Sequence, residues 1–105
     1  MDDVLSRLSD IIQLRRNSAP EESYVAGLFQ KGEDSILKKL GEEAAETIIA
    51  AKNSNRQELV HETADLWFHC LVLLGYHGVD VTDVLLELES RFGQSGVEEK
   101  RNRKE

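Results

Sequence analysis

Helical spacing of the apolar residues is the feature that most constrains this chain, because it continues almost unbroken between widely separated breakers. The 105 residues include one proline and 7 glycines, so the stretches between them are long enough for helices of several turns. Apolar residues recur every three or four positions in each stretch, as in helices with one buried face. The sequence therefore predicts an all-α fold of four to five helices, over residues 4–14, 22–31, 34–52, 57–76 and 81–92. Gly32 is the expected stop signal of the second helix, and Asp80 is the expected cap of the fifth.

Composition and charge narrow the class of protein. With 40% hydrophobic and 31% charged residues, the sequence predicts one soluble domain over residues 1–105. Residues 93–105 are expected to form either a charged, flexible tail or a last solvated helix. The net charge of −7 argues against nucleic acid or an anionic membrane as a partner. The N-terminus has no signal-peptide pattern, and no apolar run approaches the roughly 20 residues of a membrane span. The single cysteine, Cys70, fits a reducing cytoplasm.

Acidic residues interrupt the two most apolar predicted helices. Glu43 and Glu46 lie three positions apart beside the apolar stripe of the third helix, and Glu62 and Asp65 repeat this spacing in the fourth. The short loop NSNRQ makes the two helices antiparallel neighbours. Four carboxylates facing one another would repel and would be costly to desolvate. A hard divalent cation resolves that conflict, and the expected ion is Mg²⁺, with one or two ions per site.

Three other interpretations of these residues remain open at this point. The acids could lie on solvated helix faces, with Lys39 in a surface ion pair. Glu58 and His61 spell ExxH, half of the motif of di-iron helical bundles, although a second ExxH is absent. His61, Asp65 and His69 are spaced four apart and could form a zinc-binding face, for which no fourth ligand is evident.

Two motifs also resemble a known superfamily. GEEAAE, at residues 41–46, is followed after 15 residues by ETAD, at residues 62–65. This pattern resembles the EExxE…ExxD signature of the all-α nucleoside triphosphate pyrophosphatases, which include MazG-type enzymes and dimeric dUTPases. The stretches SYVAGLFQKGEDSILKKLGEEAAETIIAAK, ETADLWFHCLVLL and DVTDVLLELESRFGQSGVEEK are similar to the phosphoribosyl-ATP pyrophosphatase family, from residue 18 to residue 100. The flanking residues that point to this particular family are Ser23, Tyr24, Gly32, Lys39, His69 and Arg91.

The resemblance implies a MazG-like helical bundle completed by dimerisation, and a Mg²⁺-dependent enzyme of histidine biosynthesis. The implied reaction is hydrolysis of phosphoribosyl-ATP to phosphoribosyl-AMP and pyrophosphate, by a stand-alone enzyme without the cyclohydrolase domain. Lys39 and Arg91 are candidate phosphate contacts, because an anionic leaving group needs positive partners. The expected site residues are Glu43, Glu46, Glu62 and Asp65 for the metal, Glu42, Glu43 and Lys39 for catalysis, and Tyr24, Lys39, His69 and Arg91 for the substrate.

Two further functions remain as alternatives. One is a house-cleaning hydrolase of free nucleoside triphosphates such as dUTP or dCTP, in the same fold. The other is a non-catalytic helical dimerisation module whose acids are surface charge. A fourth helix that is apolar nearly all round is expected to be buried on almost every side. All three functions share the expectation of a homodimer, because such a helix offers more apolar surface than one small chain can cover. A tetramer remains open.

Overall fold

Five α-helices form the regular structure of residues 2–93, the part of the chain that the computed structural model describes. They are α1 (Asp2–Arg16), α2 (Tyr24–Lys31), α3 (Glu33–Lys52), α4 (Arg56–Tyr76) and α5 (Val81–Glu89). No strand occurs among these residues, so the predicted all-α fold is confirmed. None of the described helices is both long enough and apolar enough to cross a membrane. Of the predicted tail over residues 93–105, all but the first residue lies outside the described part.

The start of α2 differs from the prediction. The sequence suggests a first turn containing Glu22, whereas the helix begins at Tyr24. Ser23 has an extended backbone, and its side chain accepts a hydrogen bond of 3.2 Å from the backbone N–H of Ala26. A hydroxyl at this position satisfies one of the unpaired N–H groups at the helix start. The side-chain cap therefore fixes the boundary, and the acidic residues before it lie in the preceding turn.

Gly32 separates α2 from α3 without an intervening loop. Its φ of 100° lies in a region that residues with a side chain rarely adopt. The Gly32 N–H donates to the carbonyl of Leu28 at 3.1 Å, and the Gly32 carbonyl accepts from the N–H of Ile36 at 3.3 Å. One glycine thus ends one helix and begins the next, which confirms the stop signal predicted at this position.

The capping of α5 is confirmed at its start and corrected at its end. Asp80 Oδ1 accepts a hydrogen bond of 2.8 Å from the N–H of Thr82. The helix ends at Glu89, three residues earlier than predicted. There the hydroxyl of Ser90 donates to the carbonyl of Glu87 at 2.6 Å. A serine that bonds to the backbone in this way competes with continuation of the helix.

The core lies where α1 and α2 pack on the α3–α4 pair. α3 and α4 run antiparallel, joined by a turn over residues 53–55, and Asn55 caps α4 by accepting from the N–H of Glu58 at 3.0 Å. α5 packs against α1 at the far side of the fold. The buried apolar residues of the core are Ile12, Val25, Leu28, Ile36, Leu71, Val72 and Val81. This packing leaves one face of the α3–α4 hairpin free to carry polar groups.

One face of α4 is exposed in the single chain, although the sequence predicts burial nearly all round. Val60 and Trp67 are 64% and 57% exposed. Trp67 lines one groove together with Cys70 on α4 and with Val84 and Leu88 on α5, and we name this apolar patch the Trp67 surface. A groove of about 180 Å³ runs along it between α1, α4 and α5. The burial prediction fails for the single chain because no described helix covers this face.

Candidate active site

The α3–α4 hairpin brings three of the predicted metal ligands together. Glu43 on α3, and Glu62 and Asp65 on α4, each place one carboxylate oxygen so that the three atoms lie within 4.8 Å of one another. The i, i+3 spacing puts both α4 residues on the side that faces α3. Within residues 2–93, no other group of three or more His, Cys, Asp or Glu side chains is close enough to share a metal ion.

Glu46 lies beside these three side chains, next to Glu62. The pKa of Glu62 is raised from its ordinary value of 4.5 to about 7. Burial is the largest cause, and the carboxyl groups of Glu46 and then Glu43 add to it. The structure therefore brings three of the four predicted ligands within 4.8 Å of one another and leaves the exposed Glu46 next to Glu62. We name the four side chains the carboxylate cluster: Glu43, Glu46, Glu62 and Asp65.

Two oxygens of the carboxylate cluster are buried without a hydrogen-bond partner in the described part of the chain. They are Oε1 of Glu43 and Oε1 of Glu62, and the Glu43 residue as a whole is only 6% exposed. Burying a carboxylate without a compensating partner is costly. Hard oxygen donors gathered in this way match the preference of Mg²⁺. The residues present therefore fit a divalent-cation site.

Lys39 lies at the rim of the carboxylate cluster. Its ammonium nitrogen is 3.7 Å from Glu43 Oε2 and 3.6 Å from Glu42 Oε1. The pKa of Lys39 is raised, with the nearby Tyr24 as the largest cause and the two glutamates adding to it. Glu42 is exposed and lies outside the cluster. Lys39 is therefore a cation held close to the four carboxylates, within reach of an anion that approaches them.

Tyr24 and His69 connect α2 to α4 beside the cluster. The Tyr24 hydroxyl lies 2.7 Å from Nε2 of His69, and Nδ1 of His69 lies 2.7 Å from the backbone oxygen of Asp65. His69 is buried, at 4% exposed, whereas Tyr24 is half-exposed. Burial raises the pKa of Tyr24, while Lys39 lowers it and Glu43 and Asp65 raise it. The tyrosine hydroxyl is thus within electrostatic reach of both the cluster and Lys39.

Arg91 follows α5 instead of lying on the hairpin. Its guanidinium nitrogen Nη2 is 3.2 Å from Glu87 Oε2, one helical turn earlier. This pairing belongs to the end of α5, which packs against α1. The predicted contact between Arg91 and the substrate therefore stays a prediction.

The alternative metal sites are not assembled in the part of the chain that is described. His61 is exposed, and its Nε2 lies 3.5 Å from Asp65 Oδ2. Both ring nitrogens of His69 are already engaged in hydrogen bonds. Glu58 is exposed near the start of α4. Neither the zinc-binding face nor the ExxH half-motif therefore gives three converging ligands.

The contact between Tyr24 and His69 is the feature of the site that the sequence did not indicate. The two residues are 45 positions apart, on helices that no spacing rule connects. The Tyr24 ring stacks on Phe68, with 6.5 Å between ring centroids, and Phe68 meets His69 edge-on at 5.3 Å. The adjacent aromatic residues on α4 were the sequence signal that could have indicated this contact, but such residues are equally typical of a buried core.

Comparison with known proteins gives one consistent match. The sequence profile of the family described as phosphoribosyl-ATP pyrophosphohydrolase matches residues 5–92. A phosphoribosyl-ATP pyrophosphatase of Chromobacterium violaceum is 56% identical over 102 residues, which cover 97% of this chain and 94% of that protein. A phosphoribosyl-ATP pyrophosphatase of Methylococcus capsulatus is 57% identical over 102 residues, covering 97% of each chain. Another, of Geobacter sulfurreducens, is 54% identical over 104 residues, covering 99% of this chain and 96% of that protein.

Proposed function

The chain belongs to the phosphoribosyl-ATP pyrophosphohydrolase family, and from this membership we infer that it hydrolyses phosphoribosyl-ATP to phosphoribosyl-AMP and pyrophosphate, a step of histidine biosynthesis. The observation that supports this reaction at the atomic level is the carboxylate cluster, in which oxygens of Glu43 and Glu62 are buried and unpartnered. A polyphosphate and the carboxylate cluster are both anionic and repel each other. A divalent cation held by the carboxylates would remove this repulsion and allow the polyphosphate to bind beside them.

The carboxylate cluster would hold one or two Mg²⁺ ions, because carboxylate oxygens are the ligands this ion takes in enzymes that act on phosphates. Bound Mg²⁺ supplies neutralisation of polyphosphate charge and Lewis acidity for the attack of water. Glu43 and Glu46 come from α3, and Glu62 and Asp65 come from α4. Their positions are fixed by the backbone hydrogen bonds of two packed helices, which keeps four mutually repelling groups together.

The residues around the cluster take the remaining roles in the proposed reaction. Lys39 contacts phosphate oxygens, because its ammonium already lies beside Glu43 at the rim. Glu42 has an exposed carboxylate 3.6 Å from the Lys39 ammonium and is the proposed residue for orienting the attacking water. Tyr24 contributes to the substrate pocket. Arg91 is proposed as a phosphate contact only because its side chain carries a positive charge.

A second copy of the chain is the proposed partner of the Trp67 surface. Monomeric proteins rarely expose large contiguous apolar patches, whereas the Trp67 surface is exposed across two helices, α4 and α5. Pairing two copies about a two-fold axis would bury Trp67 and Leu88 of both chains at once. We place this homodimer in the cytoplasm, where the thiol of Cys70, which is exposed in the single chain, remains reduced.

The direct test measures pyrophosphate release from phosphoribosyl-ATP, ATP and dUTP, with and without Mg²⁺. The expected result is Mg²⁺-dependent release from phosphoribosyl-ATP alone. Glu62→Gln should lower that activity about a hundredfold or more, because it removes a charge-bearing ligand at the reacting centre. Glu58→Gln, an exposed glutamate one turn earlier on α4, is the matched control and should stay near wild type. Full activity of Glu62→Gln would contradict the assigned site, and release from dUTP or ATP would contradict the assigned substrate.

A further inference from the structure

A polar cavity lies where the end of α1 and the start of α2 meet α4. Its volume of about 440 Å³ is within the range of about 300–1,000 Å³ that is typical of small-ligand pockets. We name it the Arg15 pocket, and the residues that line it include Arg15, Ser18, Glu22, Ser23, Tyr24 and Phe68. Its walls therefore combine a cation, hydroxyl groups, a carboxylate and two aromatic rings.

The Arg15 pocket follows the carboxylate cluster along α4. Phe68 comes three residues after Asp65, so the two side chains lie on one side of the helix, about 4.5 Å apart along its axis. Tyr24 makes a second connection, because its hydroxyl lies 2.7 Å from Nε2 of His69, whose Nδ1 lies 2.7 Å from the backbone oxygen of Asp65. One extended ligand can therefore contact both the cluster and the pocket.

The aromatic wall of the Arg15 pocket is held in place by contacts within the chain. The Tyr24 ring stacks on Phe68, with 6.5 Å between the ring centroids, and its hydroxyl contacts the buried His69. Tyr24 itself is 53% exposed, so part of its ring is open to a ligand. A ring that is already ordered offers an apolar surface on which a sugar can pack, with little further loss of side-chain entropy.

Arg15 supplies the positive charge of the pocket. The next residue, Arg16, is engaged with the fold: its Nη1 donates to the carbonyl of Gly75 at 3.0 Å, and its guanidinium lies 4.5 Å from the centroid of the Phe29 ring. Arg15 is exposed and makes no ion pair within residues 2–93. A guanidinium presents a planar set of donors that suits phosphate, so Arg15 is available to bind one.

The polar groups of the Arg15 pocket match a sugar phosphate. The Arg15 guanidinium and the Ser18 hydroxyl can donate to phosphate oxygens, and the Glu22 carboxylate can accept from sugar hydroxyls. Phosphoribosyl-ATP has two anionic ends, a triphosphate on one ribose and a single phosphate on the other. Free nucleoside triphosphates have only the first of these ends.

We propose that the Arg15 pocket binds the phosphoribosyl group of the substrate, with Arg15 on its phosphate, while the triphosphate lies at the carboxylate cluster. The choice of this group rests on the proposed function, whereas binding of a sugar phosphate rests on the lining of the pocket. Arg15 is then a specificity-determining residue, because ATP and dUTP have no group that reaches it.

Inhibition by two fragments of the substrate tests the proposal. Arg15→Gln should raise KM for phosphoribosyl-ATP about tenfold, the effect of losing hydrogen bonds to a charged group, with kcat within about twofold. Ribose 5-phosphate should inhibit wild type competitively, and its Ki should rise about tenfold in Arg15→Gln. The Ki of pyrophosphate, which should bind at the carboxylate cluster, should stay unchanged. The matched control is Arg7→Gln, an exposed arginine two turns earlier on α1, and it should behave as wild type.

Other roles for Arg15 give different results. If it only offsets the helix dipole at the end of α1, then Arg15→Gln should lower Tm and leave KM and both Ki values unchanged. If it attracts anions in general, the Ki of pyrophosphate should rise as much as that of ribose 5-phosphate, and Arg7→Gln should show part of the effect. Either pattern would overturn the proposal.

A second measurement does not depend on the reaction. In nitrogen-15 NMR of the full-length chain without Mg²⁺, ribose 5-phosphate should shift the backbone amide signals of Ser18 and Tyr24 and leave that of Glu46 in place. Arg15→Gln should weaken this binding about tenfold. An absence of shifts at Ser18 and Tyr24, or equal affinity in Arg15→Gln, would overturn the proposal. If wild type fails to hydrolyse phosphoribosyl-ATP, the proposed function fails, and this titration still decides whether the pocket binds a sugar phosphate.

Discussion

Binding of Mg²⁺ to the carboxylate cluster should release protons, and the amount follows from the pKa of Glu62. That pKa is raised to about 7 without metal, because the half-buried side chain is partly desolvated and lies beside Glu46 and Glu43. A ligand carboxylate must be ionised, so each protonated Glu62 loses its proton when the cation binds. The expected release per site is about 0.9 protons at pH 6, about 0.5 at pH 7 and about 0.1 at pH 8.

Isothermal titration calorimetry measures this release directly. Titrating Mg²⁺ in two buffers of different ionisation enthalpy gives the number of protons from the difference in observed heat. The apparent affinity should also fall about tenfold from pH 8 to pH 6. Glu46→Gln should reduce the release at pH 7, since it removes the neighbour that contributes most to the raised pKa after burial. Glu58→Gln should leave the release unchanged.

Two results would refute this reasoning. If Mg²⁺ binds with no proton release at pH 6 and pH 7, then Glu62 is either ionised beforehand or not a ligand. If Glu58→Gln abolishes the release, the proton comes from a group outside the carboxylate cluster.

Three further predictions concern stability and assembly. Without metal, the Tm of wild type minus the Tm of Glu62→Gln should fall as pH rises from about 4.5 through 7, because in that window the folded state binds a proton at Glu62 that the unfolded state has lost. A difference in Tm that stays constant across this range would count against the raised pKa of Glu62. Gly32→Ala should destabilise by about 2 kcal/mol in urea unfolding, because its φ of 100° is strained for alanine, whereas Gly41→Ala, inside α3 with open space around it, should stabilise by up to about 1 kcal/mol. Trp67→Glu should give a monomeric mass in light scattering, with Leu14→Glu on α1, where the leucine is even more exposed than Trp67, as the control that keeps the dimer; a dimeric Trp67→Glu would move the interface elsewhere.

The helices and the carboxylate cluster were predictable because both follow from local rules. Helical spacing and a few breakers decide where α3 and α4 lie. A short loop makes them antiparallel neighbours, and the i, i+3 spacing keeps the two acids of each pair on one side of their helix, so that Glu43 and Glu62 can face each other. The start of α2 was less certain from sequence, because Ser23 and the acids before it are all good helix-start residues, and geometry alone decides which one caps.

The parts that could not be predicted depend on packing between distant segments. Tyr24 meets His69 because the first turn of α2, which packs on α3 and α1, reaches α4, and the sequence holds no period that encodes this contact. How deeply Glu43 is buried likewise depends on which segments pack over the α3–α4 hairpin. Trp67 is the opposite case. Its apolar neighbours were predicted to be buried, but they are exposed in the single chain because none of the described helices packs over them.

The carboxylate cluster is also local along the chain, and this has a consequence for folding kinetics. All four members lie between residues 43 and 65, on two helices joined by one short turn. Contacts of such low sequence separation form early, since little chain entropy is lost in closing the loop. The repulsion among the four acids therefore opposes an early folding step. A divalent cation that relieves this repulsion should accelerate refolding as well as slow unfolding. The ion proposed to take part in the reaction would therefore also determine how fast the α3–α4 hairpin forms.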